Sequence, residues 1–202
     1  MAISTIEYVY RTFTAGEAEQ ITGTSGALQR DWRRRGLLAK DDADAGKWTR
    51  FSLDEVVKML LMKQLSDLGF SVKSVLRVAA MAAFPLHKII HSLPGAIEHR
   101  GISADVYAAG DGAAARQVSS EGERGIGPAE SLYLVVTRKD RRGEPAVARC
   151  DALDGLSGYL AEKGVAHCVV IDLFEIARTI RRRVTGPFLT IVETAKAEGS
   201  PV

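Results

Sequence analysis

The 202-residue sequence predicts an α+β protein, an N-terminal winged helix-turn-helix followed by a small C-terminal α/β domain. Two observations carry the first half: paired capping signals on either side of a tight turn between residues 13 and 38, and a turn-rich segment with a short strand behind it at 40–51. A third carries the second half. After residue 131 the apolar spacing changes from helical to an order of strand, strand, helix, strand, helix.

Residues 1–12 alternate Ile6, Tyr8 and Tyr10, a pattern that fits either a short strand or a lead-in packed on the first helix. Thr14 followed by Glu17 is a capping box, in which each side chain satisfies an orphaned amide of the other residue, so a helix starts near Ala15. Ala18 and Ile21 give it an inward stripe, with Phe13 just before the cap. Gly23 permits the turn. Ser25 caps a second helix whose apolar positions, Leu28 and Trp32, are four apart, which leaves Arg30, Arg33 and Arg34 for the outer surface and Gly36 as the stop.

Turn formers fill 41–46, and a strand is expected over 47–51. This wing presents Lys47, Trp48 and Arg50 beside the second helix, where cations contact phosphate and an indole lies along the sugar backbone or packs beneath its own loop. Ser52 with Glu55 opens a third helix with a wide apolar face, ended by Gly69. Ser71 opens a fourth. Pro85 is expected to interrupt it, with a separate two-turn helix over 86–93 closed by Pro94-Gly95.

These residues resemble the DNA-binding head of the MerR family, which opens on an aromatic-Thr-x-Gly-Glu helix. Phe13, Thr14, Gly16 and Glu17 match that opening; Thr22-Gly23, Ser25, Arg30, Trp32, Arg34 and Gly36-Leu37-Leu38 continue it. The match resumes at Arg50-Phe51-Ser52 and at 65–71, and covers roughly residues 11–82. Asp31, Arg33 and Thr49 depart from the pattern, so base preference does not carry over. The resemblance implies a transcription regulator that binds double-stranded DNA, with Thr14, Ser25, Arg30, Arg33, Arg34, Lys47, Trp48 and Arg50 at the interface. The family's long dimerisation coil is not expected here, because Pro85 and Pro94-Gly95 break the helical seam.

The head is thus assigned to 1–95 and a Gly/Ala/Ser/Glu-rich linker to 96–131, with an Asp-Gly hairpin near 111. No Gly-Lys-Ser/Thr follows these glycines, so they make no phosphate loop. The C-terminal domain, 132–194, is expected to contain strands over 132–137, 146–150 and 165–173 in a partly parallel sheet, with helices over 153–163 and 175–183. It is left for homodimerisation or for a small-molecule or protein effector. Its expected pairing surfaces are an edge strand at 132–137 or the last helix with Phe174, Ile176 and Ile180.

Net charge is only +2, but Arg30, Arg33, Arg34, Arg35 and Lys40 crowd one segment against Asp31, which concentrates positive potential on the second helix. Cys150 and Cys168 are too few for a disulfide framework, no leader pattern precedes the first helix, and the longest apolar run is too short to span a membrane. A cytoplasmic, nucleoid-associated protein is the reading. His87 and His91 have metal-ligand spacing with His99 nearby, yet an ordinary half-buried helix gives the same pattern, and no metal or cofactor is assigned. No nucleophile with a base and no paired carboxylates appear, so no enzyme is expected. A second class stays open, a DNA-anchoring or architectural protein whose C-terminal domain recruits a partner.

Overall fold

The computed structural model describes residues 4–38, 50–101, 133–137, 146–150, 153–165 and 168–195. The expected hairpin near 111, the turn at 138–145 and the wing residues Lys47 and Trp48 lie outside them.

The head forms as its capping signals dictate. Strand β1 (Ser4–Tyr10) leads to β2 (Phe13–Thr14) and helix α1 (Ala15–Thr22), and α2 (Gly26–Arg34) follows after Gly23 at φ 71°. Both halves of the Thr14–Glu17 box are made, with the Thr14 N–H 2.8 Å from Glu17 Oε2 and the Glu17 N–H 3.2 Å from Thr14 Oγ1. Ser25 caps α2 through the Leu28 N–H. After it, Gly36 takes φ 68° while the Leu37 N–H reaches back to the Trp32 carbonyl, the bond that closes a helix on a left-handed glycine. Strand β3 (Arg50–Phe51) pairs with β2, and Ser52 with Glu55 caps α3 (Leu53–Asp67).

Helix α4 corrects an expectation. It runs unbroken from Val72 to Ser92 with Pro85 inside it, where an interruption and a separate helix were expected. A proline in a helix interior costs about 3 kcal/mol, but burying a large aliphatic side chain returns roughly 1.5–3 kcal/mol. Leu86, Ile89 and Ile90, all beyond the proline, are at most 2 % exposed, so tertiary burial wins. The buried side of α4 packs on α3 and on the last helix of the chain.

The expected linker also begins differently. Residues Ile97–Arg100 form β4, which runs parallel to β8 (Leu189–Ala195), while β1 pairs antiparallel with the other side of β8. The lead-in is therefore a strand, its partner lies at the far end of the chain, and Leu189 and Ile191 pack there with Ile6 and Ile97.

The remaining strands, β5 (Tyr133–Thr137), β6 (Ala146–Cys150) and β7 (Cys168–Asp172), have the spatial order β6-β5-β7, and β5 is antiparallel to both neighbours. A partly parallel sheet was expected from the crossover helix α5 (Leu156–Glu162). That crossover exists, but it steps over β5, so the two mutually parallel strands never touch. Since β5 is central, it is also no edge for pairing. Helix α6 (Leu173–Arg183) is capped by Asp172 and buries Ile176 and Ile180 within its own chain, and Arg178 stacks 4.5 Å over the Phe174 ring. Both expected dimer surfaces are thus already occupied.

One apolar cluster runs through these parts, from Phe13, Ile21 and Trp32 in the head to Leu134, Val136, Ile171, Ile176 and Ile180. Its polar fastening is Arg181, which donates to the Pro94, Gly95 and Val184 carbonyls, and Arg183, which donates to the Ile21 carbonyl at 2.5 Å. Arg182 points elsewhere, toward Glu175 and Thr179, as three consecutive helical residues must. Gly95 holds φ 72°, which favours glycine, and a Cβ there would stand 2.6 Å from Arg181 Nη2, so the guanidinium would have to shift.

His87 and His91 stack on α4 with ring centroids 5.4 Å apart, and His87 Nε2 lies 3.3 Å from Asp54 Oδ1 of α3. His99 is on β4, and no group of three metal-ligating side chains assembles among the described residues. Burial, and next the neighbouring His87, push the His91 imidazole from its ordinary 6.5 down to about 4. A histidine with a depressed folded-state value favours the neutral form, so its stabilisation is complete above pH 6.5 and is lost as pH falls from there toward 4. The melting temperature is expected to drop across that window, and His91→Leu to flatten the part of the slope that separates it from wild type. Parallel slopes for the two proteins in a pH series of thermal melts would remove His91 as the cause.

Candidate nucleic-acid interface

Helix α2 divides into three faces. Trp32 and Gln29 are buried at 2 % exposure, and Gln29 Nε2 donates to the Ala15 carbonyl (3.0 Å) and the Thr24 carbonyl (2.8 Å), which fixes α2 against the start of α1. Arg30 and Arg34, four apart, share an exposed face. Between them, Asp31 holds Arg34 at 2.5 Å and Arg35 at 3.4 Å. Those pairs are solvated and contribute little to stability, so Asp31 orients the cations without consuming them.

Arg33 differs from its neighbours. It is half-buried, and its guanidinium lies 4.3 Å over the Phe51 ring, so the residue clamps α2 to β3 by a cation–π contact instead of projecting outward with Arg34. Its Nε and Nη2 are buried. A concavity of roughly 470 Å³ opens beside it, lined by Thr14, Ala15, Gly16, Gly26, Gln29, Arg30, Arg33 and Phe51. A second of roughly 360 Å³ lies along the outer face of α2, between Ala27, Arg30, Asp31 and Arg34.

Of the sequence-expected interface residues, the fold therefore gathers Thr14, Arg30 and Arg33 at one depression and Arg34 beside it. Thr14 and Ser25 serve as helix caps, which places their backbones at the exposed N-terminal ends of α1 and α2. Arg50 is exposed on β3 with its guanidinium 3.5 Å from the Thr12 hydroxyl. At the other end of this surface Arg11 pairs with Glu17 at 2.9 Å, lies 5.2 Å over the Phe13 ring and also donates to the Thr185 carbonyl. The Thr14 N–H, with Arg11 behind it, holds the Glu17 carboxyl below its ordinary value. Arg35 is an exposed cation that a motif match alone had not singled out; its signal was simple adjacency in the run 33–35.

This arrangement, two capped helices crossing at a glycine turn with an arginine-bearing second helix presented outward, can be set beside known families. Residues 13–81 match the family model described as MerR HTH family regulatory protein. Over these residues the head is similar to a MerR-type helix-turn-helix. The match ends within α4, ahead of Pro85, and the remainder of the chain lies outside it. No curated protein matches the sequence. No helix among the described residues is long and apolar enough to cross a membrane.

Proposed function

We propose that this protein is a sequence-specific DNA-binding transcription regulator that reads an inverted-repeat operator as a homodimer, with a winged MerR-type head. The observation that carries the reading is the exposed face of α2, where Arg30 and Arg34 stand clear of the core on a helix whose opposite side is anchored by Trp32 and Gln29. A rigidly held helix of this kind fits the major groove, with side chains at base edges and flanking groups on phosphate. Thr14, Ser25 and Arg33, together with the wing residues Lys47, Trp48 and Arg50, are assigned to the backbone contacts that set orientation, because helix N-termini and cations bind phosphate without reading sequence.

One head spans about half a turn of duplex, too little to select a site among a genome's competitors, so two heads related by a two-fold axis are required. With α4 packed on α3 and α6, regulation by occupying the operator suits this chain at least as well as activation. Mapping of bound DNA across the genome, combined with transcript profiling of a deletion strain, tests the assignment. Inverted-repeat sites overlapping promoters whose transcripts change are expected. Many dispersed sites with no change in expression would make the protein an anchor that recruits a partner to DNA.

A further inference from the structure

We propose that the outer edge of β1 is the self-pairing surface, on which a second copy adds its own β1 antiparallel to form one continuous sheet across a two-fold axis. The inference rests on the dimeric reading above, and it names the surface that reading lacks. Strand β1 is the end strand of the sheet β1-β8-β4, and among the described residues no strand pairs with its outer side. Its exposed apolar content is concentrated: Tyr8 and Val9 are 46 % exposed and Tyr10 62 %, three consecutive residues. An edge that offers large apolar side chains without an interior lysine or proline lacks the usual protection against strand addition.

The ladder shows which backbone groups face outward. The Arg11 N–H donates to the Phe188 carbonyl at 2.9 Å, one step beyond the Tyr10–Leu189 pair, and hydrogen-bonded pairs alternate along an antiparallel ladder. Arg11, Val9, Glu7 and Thr5 therefore direct their amides toward β8. Ile6, Tyr8 and Tyr10 direct theirs outward. The residues with the outward backbone groups are thus the ones whose side chains continue the Leu189–Ile191 face of the sheet.

Self-complementarity selects the register and, with it, a second copy as the occupant. Centring the pair on Glu7 would set two carboxylates directly opposite each other, which is repulsive. Centring on Val9 would push the ladder past Tyr10 into the turn before β2. Centring on Tyr8 matches Tyr8 with Tyr8, Ile6 with Tyr10 and Glu7 with Val9, and makes about six backbone hydrogen bonds. It also places Arg11, whose guanidinium pairs with Glu17 in its own chain, diagonal to the second copy's Glu7, a complementary charge. The exposed parts of residues that bury at most about 150–250 Å² each fall short of a standard interface of roughly 1,600 Å². The free dimer is consequently weak, and two half-sites on one duplex complete it.

The test uses the full chain with Cys150→Ser and Cys168→Ser. Across a pair centred on Tyr8, the two Cα atoms stand about 5.5 Å apart, within disulfide range, whereas positions 10 are separated by four residues of strand. Under mild oxidation Tyr8→Cys is expected to cross-link into a dimer and Tyr10→Cys to remain monomeric. Tyr8→Lys, which places a charge on an edge already open to water, is expected to keep the wild-type melting temperature and to weaken self-association in sedimentation at least about tenfold. It should bind a single half-site like wild type but lose the added affinity for the inverted repeat. Cross-linking through position 10 and not 8, or undiminished association of Tyr8→Lys, overturns the β1 assignment while leaving DNA binding intact. A β1-linked dimer that binds no duplex would retain this surface and overturn the proposed function instead.

Discussion

Replacing Arg30 and Arg34 together with alanine is expected to abolish specific DNA binding while leaving the fold intact. Both side chains are exposed on α2, and the ion pair that Arg34 makes with Asp31 is solvated, with Arg35 next to the same carboxylate. Surface changes of this kind shift stability by no more than about 0.5 kcal/mol. Binding is another matter. A bidentate hydrogen-bonded pair with a base is worth roughly 1–3 kcal/mol, so removing both arginines reduces affinity for the operator by at least about thirtyfold. Any share of the effect that comes from phosphate shows as a flatter salt dependence, by about 0.9 in slope for each phosphate no longer neutralised. Electrophoretic titrations at several salt concentrations separate the two contributions. A double variant that binds its operator like wild type would move recognition off α2.

The second large effect is on folding. Trp32→Ala is expected to destabilise the protein by about 3–5 kcal/mol, since the indole is 2 % exposed and belongs to the cluster that contains Ile21, Leu60 and Phe13. For a chain of this size that corresponds to a melting temperature lowered by roughly 10 °C. The magnitude discriminates between two roles for an aromatic on a reading helix. A variant that melts within a degree or two of wild type yet fails to bind DNA would show that the indole is a recognition group, whereas a large drop in stability with operator binding retained at low temperature makes it a core peg. Because the cluster continues into α6, the destabilisation should appear as one transition that includes the C-terminal elements.

Much of the head was legible in the sequence because its signals are local. Thr14 with Glu17, Ser25, Gly36 and Ser52 with Glu55 each act within four residues of backbone, so the residue types alone specify where helices start and stop. The order of elements after residue 131 was legible for a similar reason: strand and helix periods are properties of short windows. The exposed position of Arg30 and Arg34 followed from helical spacing once Leu28 and Trp32 had marked the inward stripe.

What the tertiary structure alone decided are the choices made between distant segments. Pro85 stays inside a helix because α4 packs on both α3 and α6 and buries Leu86, Ile89 and Ile90 beyond it, and no local window contains that burial. Arg33 turns onto Phe51, a residue of another strand, and so leaves the outer face its spacing had suggested. The alternation in β1 specified a strand as well as a lead-in, until β8, almost the whole chain away, supplied the ladder that decided it. Sheet order is also non-local: α5 announces a crossover, but only the pairing of β5 with both β6 and β7 shows that the crossover steps over a strand. Capping and periodicity are written in neighbouring residues, whereas pairing and burial depend on which remote surfaces exclude water together.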